Sequence, residues 1–337
     1  MKHKSTFLFN AIFLIILPLS SCKKEEVANY HQLQYSNARL CTVEAITTCS
    51  GTVLSFPNQA AFDAAYNCLE QEYEAHNTNF EQQHSNLNDD DYNLLIDQIG
   101  FDEEQTLRDF ENSVNFNSLR ATLNAQELIW LNDTILDPAT DPWNHVIDDP
   151  IYATLLSANG DVKIGNSIFH YEPDGTIIEL TNGDCDELTL IHNNPNYRSG
   201  NTIALTLGPF NEPCKRVKSE SDDREWLTTS SKMYKWRIGF FGRFFSADAT
   251  VKIRNFKRNS NNRWRRMATS SYVEVSGSAR NSSCTEIQAF SLKNKGFSRR
   301  KVLCAKRVIF QESKIQSQDV IGIFSAGSTV TSERLSW

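Results

Sequence analysis

The 337-residue sequence has no apolar run of the roughly 20 residues a membrane-spanning helix requires, which excludes a helical integral membrane protein. It has no C-x-x-C pair, no H-E-x-x-H, no G-x-S-x-G, no phosphate-binding glycine loop and no G-x-G-x-x-G. Cysteine-held zinc, zinc peptidase, serine hydrolase and nucleotide-binding chemistry therefore lose their usual sequence support. Internal repeats and long low-complexity runs are also absent. What is present is 40% hydrophobic and 22% charged residues, enough to bury real cores, over a length that holds two modest domains. These patterns predict no catalytic residue, no metal ligand and no cofactor.

The first thirty residues are more specific. Met1 to Lys4 is basic, and Phe7 to Leu19 is an apolar stretch of about thirteen residues, the length of a secretory signal core. It ends in Leu19-Ser20-Ser21-Cys22, which resembles the lipobox of bacterial lipoproteins. That resemblance implies cleavage before Cys22 and acylation of its thiol, with more than one chain needed for stable anchoring. Lys23-Lys24-Glu25-Glu26 is similar to the export signal of Bacteroidota-type surface lipoproteins, implying the outer face of the outer membrane. Val27 to Asn37 is polar, without apolar periodicity, and reads as a tether.

An exported chain meets oxidising conditions, so the other seven cysteines are expected to form disulfides. Cys185 with Cys214, and Cys284 with Cys304, are the expected local staples. Two of Cys41, Cys49 and Cys68 could supply a third, and an odd count leaves one thiol over.

The fold class predicted is α+β: an N-terminal helical region, a short antiparallel meander, and a C-terminal antiparallel β-sandwich-like domain. Residues 1–21 are the signal, 22–40 the tether, 41–145 the helical region, 146–211 the meander and its connector, 212–225 a linker, and 226–337 the basic β domain. Helical periodicity runs from Val53 to about Leu136. Phe62, Ala65, Tyr66, Leu69, Tyr73 and Phe80 form one stripe, Asp89-Asp90-Asp91 opens a second helix closed by Gly100, Leu107 and Phe110 mark a third, and Asn124 opens a fourth. Val162 and Ile164, the Gly165-Asn166 turn, Ile168 to Glu172, and Ile177 to Leu180 after Pro173-Asp174-Gly175 form the meander. Alternation at Trp236, Ile238 and Phe240, at Val251 and Ile253, and at Val273 and Val275 predicts strands to the end of the chain. Phe116 to Arg120, and Asp149 to Leu156 leading to Val162-Lys163-Ile164-Gly165, resemble motifs of uncharacterised Bacteroidota lipoproteins. That likeness implies architecture and location and carries no activity.

Charge is divided unevenly. Lys23 to Gly200 holds 7 Lys/Arg against 30 Asp/Glu, a net of −23; Asn201 to Trp337 holds 25 against 11, a net of +14. The densest basic run contains Arg254, Lys257, Arg258, Arg263, Arg265 and Arg266 around a predicted hairpin tip at Asn259 to Asn262, and Arg299, Arg300 and Lys301 form a second. Guanidinium groups suit phosphate and sulfate, and Trp264 could stack on a sugar. Arg258, Arg263, Arg265, Arg266, Arg299, Arg300 and Lys301 are thus the candidate anion-binding set; the competing reading is a solvated basic face or one docked on the acidic helices. The aspartates 137, 141, 148 and 149 with His145 are the most concentrated set of potential metal ligands, with Asp184, Asp186 and Glu187 a second, but their order matches no calcium loop and Asp/Pro-rich connectors are usually turns. His76 and His84 read as surface histidines. Aromatic residues such as Phe240 and Phe241 read as core.

The function expected is a non-enzymatic, lipid-anchored envelope protein binding an anionic glycan or lipopolysaccharide-like ligand, with the membrane as partner through the anchor and no nucleic acid. The rivals are a glycan or peptide hydrolase with unrecognised carboxylates, and a structural protein whose charged halves pack on each other.

Overall fold

The computed structural model describes residues 46–133, 140–145, 147, 149–173, 176–206, 222–229, 232–243, 246–259, 263–280, 286–298, 302–309, 317–326 and 329–336, with side-chain surroundings given mainly up to 204 and between 253 and 277. The chain is α+β. Its first sheet begins where the sequence predicted helix: Ile46–Thr48 (β1) and Val53–Phe56 (β2) pair antiparallel, with Thr48 opposite Val53. The turn between them places Cys49, Ser50 and Gly51 at positive φ. A four-residue apolar run is too short to show a period, and here strand pairing decides its state.

Helix α1 (Gln59–Gln83) starts after Pro57 with Asn58 as cap, its Oδ1 accepting from the Ala61 N–H at 2.9 Å. Its buried residues are the predicted stripe together with Asn77. Helix α2 (Asp89–Ile99) keeps the predicted bounds: Asn88 caps it, three aspartates fill its first turn, and Gly100 ends it at φ 67°. Helix α3 is Gln105–Ser113. Helix α4 (Leu119–Trp130) opens five residues before Asn124, because Ser118 accepts from the Ala121 N–H and is the true cap. Helix α5 (Pro150–Thr154) has proline in its first turn and Asp149 as cap.

After these five helices the chain returns to the sheet. β3 (Asp161–Ile164) lies parallel to β2, Phe56 opposite Ile164, so the helices form one long crossover between neighbouring strands. β4 (Ser167–Tyr171), β5 (Thr176–Leu180) and β6 (Thr202–Thr206) follow antiparallel, completing a six-stranded mixed sheet in the order β1 to β6. The predicted meander is thus real but is part of a larger sheet. Strand alternation sends Leu54, Phe56, Val162, Phe169, Tyr171 and Ile177 into the main core beside Phe62, Leu69 and Leu107. Val53, Ile168 and Leu180 point to the opposite face and pack on Leu188 of α6 (Cys185–Asn193).

Helix α6 occupies the segment expected to be connector. Asp184 caps it by accepting from the Asp186 and Glu187 N–H groups, and those two acids sit in its first turn. A disulfide joins Cys185 to Cys49, and not to Cys214 as expected from local spacing. It ties the helix to the β1–β2 turn across 136 residues of sequence. Cys68 is also disulfide-bonded. Cys41, Cys214 and Cys284 lie outside the described residues, and Cys304 is described only as a position on a strand.

Among the described residues, the C-terminal part is built of strands. β7 (Asp222–Thr229), β8 (Lys232–Arg243), β9 (Ser246–Arg258), β10 (Trp264–Arg266) and β13 (Val302–Ile309) form one antiparallel sheet. β11 (Thr269–Arg280), β12 (Glu286–Ser298), β14 (Ser317–Ala326) and β15 (Thr329–Ser336) form a second. β7 opens inside the stretch predicted as linker.

Candidate functional site

The arginine-rich run predicted at a hairpin does sit on one, with β10 folded back on the end of β9 so that Trp264 faces Arg258. The far ends of these strands do not project into solvent as expected. They lie on the acidic helices. Arg254, 6% exposed, contacts Glu127 on α4 and bonds Asp141 at 2.9 and 3.2 Å. Arg266 reaches Glu127, Glu104 at 3.4 Å and Asn124 at 3.2 Å. Glu104 also takes Arg120 of α4 at 2.6 Å, and Arg120 pairs with Glu111. The result is one continuous chain of contacts, Glu111–Arg120–Glu104–Arg266–Glu127–Arg254–Asp141, in which four carboxylates face three guanidiniums.

Burial raises the Glu104 pKa, but the charges of Arg266 and Arg120 outweigh it and hold the carboxyl at about 2. For Arg254, burial and the nearby Arg266 charge work against the cation. The net shift is downward, opposed by the Glu104 charge; the Glu127 and Asp141 carboxylates are the contacts of the guanidinium. Around this core lie weaker ties: Lys257 to Asp90 at 2.5 Å, Arg265 to Asp97, and the Asn93 amide bonded both ways to the Ala268 backbone at 2.8 and 2.9 Å. Apolar contacts run alongside, with Trp130 and Leu131 against Phe256 and Trp264, and Phe80, Tyr92 and Ile96 against Ala268.

A second constellation lies on the α6 face of the first sheet, and the sequence reading did not find it. Asp161 on β3 stands opposite His170 on β4, and His192 comes down from the last turn of α6. The His170 Nδ1 is 2.7 Å and the His192 Nε2 3.1 Å from the same atom, Asp161 Oδ1. The other oxygen, Oδ2, accepts from the Ser157 hydroxyl at 2.6 Å. Burial raises the Asp161 pKa, and the hydrogen bonds and charges of the two histidines overcome it, leaving the carboxyl at about 2. His192 is shifted upward chiefly by its bond to Asp161. One carboxylate and two imidazoles converging on a point are the residue types that hold first-row divalent metals. The cross-strand half of this group was computable: a two-residue turn at Gly165-Asn166 sets Ile164 opposite Ser167 and hence Asp161 opposite His170. His192 was not, since it arrives from the unpredicted helix.

The remaining predicted positions have local roles. Asp141 caps a short 3-10 turn at Pro142–Asn144, and His145 Nδ1 accepts from the Ile147 N–H. Asp149 caps α5 and accepts from the Tyr66 hydroxyl at 2.7 Å. His76 bonds the Asp102 carbonyl and stacks on Phe101, and His84 packs on Phe80. The Arg258 guanidinium lies 4.7 Å over the Trp264 ring, and Arg263 is exposed beside it. Arg299, Arg300 and Lys301, like Cys22, Asp137 and Asp148, lie outside the described residues, as do the Phe240 and Phe241 side chains. Among the described residues no helix is long and apolar enough to cross a membrane.

No family model matches the chain, and no curated protein does. Among solved structures, a DUF4848 family protein of Bacteroides thetaiotaomicron aligns over 87% of this chain and 100% of its own, at 11% identity and a TM-score of 0.22. A candidate beta-galactosidase of Bacteroides fragilis aligns over 34% of this chain and 16% of its own, at 11% identity and a TM-score of 0.15. At these TM-scores neither likeness transfers a fold or an activity.

Proposed function

We propose that the chain is a non-enzymatic, lipid-anchored protein of a bacterial envelope, held at the membrane through Cys22, whose basic β region is latched onto its own acidic helices. The observation that carries the latch is the contact chain from Glu111 to Asp141, which joins helices α3 and α4 to strands β9 and β10; the anchor rests on the likeness of Leu19-Ser20-Ser21-Cys22 to a lipobox. Four cations of the basic part, Arg254, Lys257, Arg265 and Arg266, thereby find partners among the acids of the helical part. Anion binding, in this reading, falls to Arg263 at the hairpin tip and to Arg299, Arg300 and Lys301, with Arg258 engaged over the Trp264 ring. Arg265 and Arg266 are left out because Asp97, Glu104 and Glu127 already occupy them. The lowered pKa values of Glu104 and Asp161 suit charge partners; a glycosidase acid needs the opposite shift.

Retention on a heparin resin tests the anion reading. Replacing Arg263, Arg299, Arg300 and Lys301 together by alanine is expected to lower the salt concentration of elution, whereas Arg265→Ala leaves it nearly unchanged. Retention indifferent to the fourfold variant would contradict the proposal. The anchor is tested separately: Cys22→Ser is expected to move the protein out of the membrane fraction.

A further inference from the structure

The latched charges explain the helices and the β9–β10 hairpin but not the Asp161 group on the far side of the first sheet. Three features set that group apart from an ordinary buried hydrogen-bond network. The first is convergence. Two imidazole nitrogens address one carboxylate oxygen, at 2.7 and 3.1 Å, and all three donor atoms lie within 4.8 Å of one another. Ligand atoms bound about 2.1 Å from a tetrahedral or octahedral ion stand roughly 3.0–3.4 Å apart, close to the two histidine–aspartate distances.

The second is that each donor is held by independent means. Asp161 leaves a tight turn in which the Ser157 Oγ accepts from the Asp161 N–H at 3.0 Å and donates to Oδ2 at 2.6 Å. His170 is fixed by strand register against Asp161 on one side and Ile178 on the other. His192 is placed by α6, which the Cys49–Cys185 disulfide and the packing of Leu188 hold against the sheet. A hydrogen bond from an outer residue to the ligating carboxylate is a regular part of metal sites. The third is access. Asp161 is sealed, with a side chain 1% exposed, while His192 is 26% exposed, so one side of the group opens to water. Three protein ligands with one open position is the arrangement of an accessible zinc site, in contrast to a closed structural one.

We infer that Asp161, His170 and His192 form a binding site for a first-row divalent cation of the zinc type, with solvent completing the coordination. Imidazole with carboxylate favours zinc over magnesium or calcium, which take oxygen ligands. The ion binds between β3, β4 and α6, and cross-links the helix to the sheet from the end opposite the disulfide.

Equilibrium dialysis of the chelator-stripped full chain against Zn²⁺, with metal content read by mass spectrometry, tests this directly. One equivalent of zinc is expected. His192→Gln, at an exposed position that leaves the fold intact by circular dichroism, is expected to weaken binding by at least tenfold, as is His170→Gln. His76→Gln is expected to change nothing. Substitution with Co²⁺ should give visible d–d bands of a nitrogen–oxygen site without a thiolate charge-transfer band. Absence of stoichiometric uptake, affinity unchanged in His192→Gln, or a thiolate band would each overturn the assignment.

Discussion

Arg254 and Arg265 illustrate how differently two arginines of one basic run behave. Arg254 is buried against Glu127 and Asp141, and its removal takes one cation from two buried carboxylates, leaving Glu127 with Arg266 and Asp141 with its Trp143 cap bond. Such losses cost about 3–5 kcal/mol, so Arg254→Ala is expected to lower the denaturation midpoint severely. Arg265 pairs with Asp97 while both side chains remain about a third exposed, 37% and 32%. Exposed pairs contribute about 0–1 kcal/mol, and Arg265→Ala should unfold almost as the parent does in the same urea titration. Glu104 supplies the pH dependence. Its folded pKa of about 2 lies below the ordinary 4.5, so the unfolded chain takes up its proton first as pH falls. The stability it contributes is complete above pH 4.5 and is lost as pH falls from there towards 2. Acid unfolding should show this loss, of order about 3 kcal/mol, and Glu104→Gln should remove it from that pH window while lowering stability at neutral pH.

At the scale of elements, the turn before β3 is a tightly constrained point of the first sheet. Gly160 has φ 87°, and a Cβ there would meet the Tyr171 carbonyl oxygen at 2.6 Å. Gly160→Ala therefore combines left-handed strain of roughly 1–2 kcal/mol with a backbone clash. Thermal melting should show a loss above 2 kcal/mol, on the order expected for strained sites. Elements with a long periodic face and chemical punctuation were legible beforehand. The α1 stripe and the Asp89–Gly100 bounds of α2 need only helix geometry and capping. The β1–β2 hairpin was not legible, because Val53 to Phe56 is too short to show a period and earns its state from pairing with β1 and β3. Helix α6 was missed because Asp184, Asp186 and Glu187 looked like connector acids when they are its cap and first turn. With it went His192, 31 residues from Asp161, and so the third member that turns the Asp161–His170 cross-strand pair into a cluster.

Across the whole molecule, opposite net charge in the two parts of the chain becomes a specific interface. Net −23 and +14 alone would draw the parts together without orienting them. Orientation comes from pairs with fixed geometry, such as Arg254 held by both Asp141 oxygens, and from Trp130 and Leu131 packing on Phe256 and Trp264. The account stands on these contacts being energetically coupled across the two parts. A double-mutant cycle with Arg254→Met and Asp141→Asn, followed by chemical denaturation, measures that coupling and cancels the separate loss of the Asp141 cap. We predict a coupling energy of about 2 kcal/mol or more. Additivity of the two substitutions to within about 0.5 kcal/mol would contradict it.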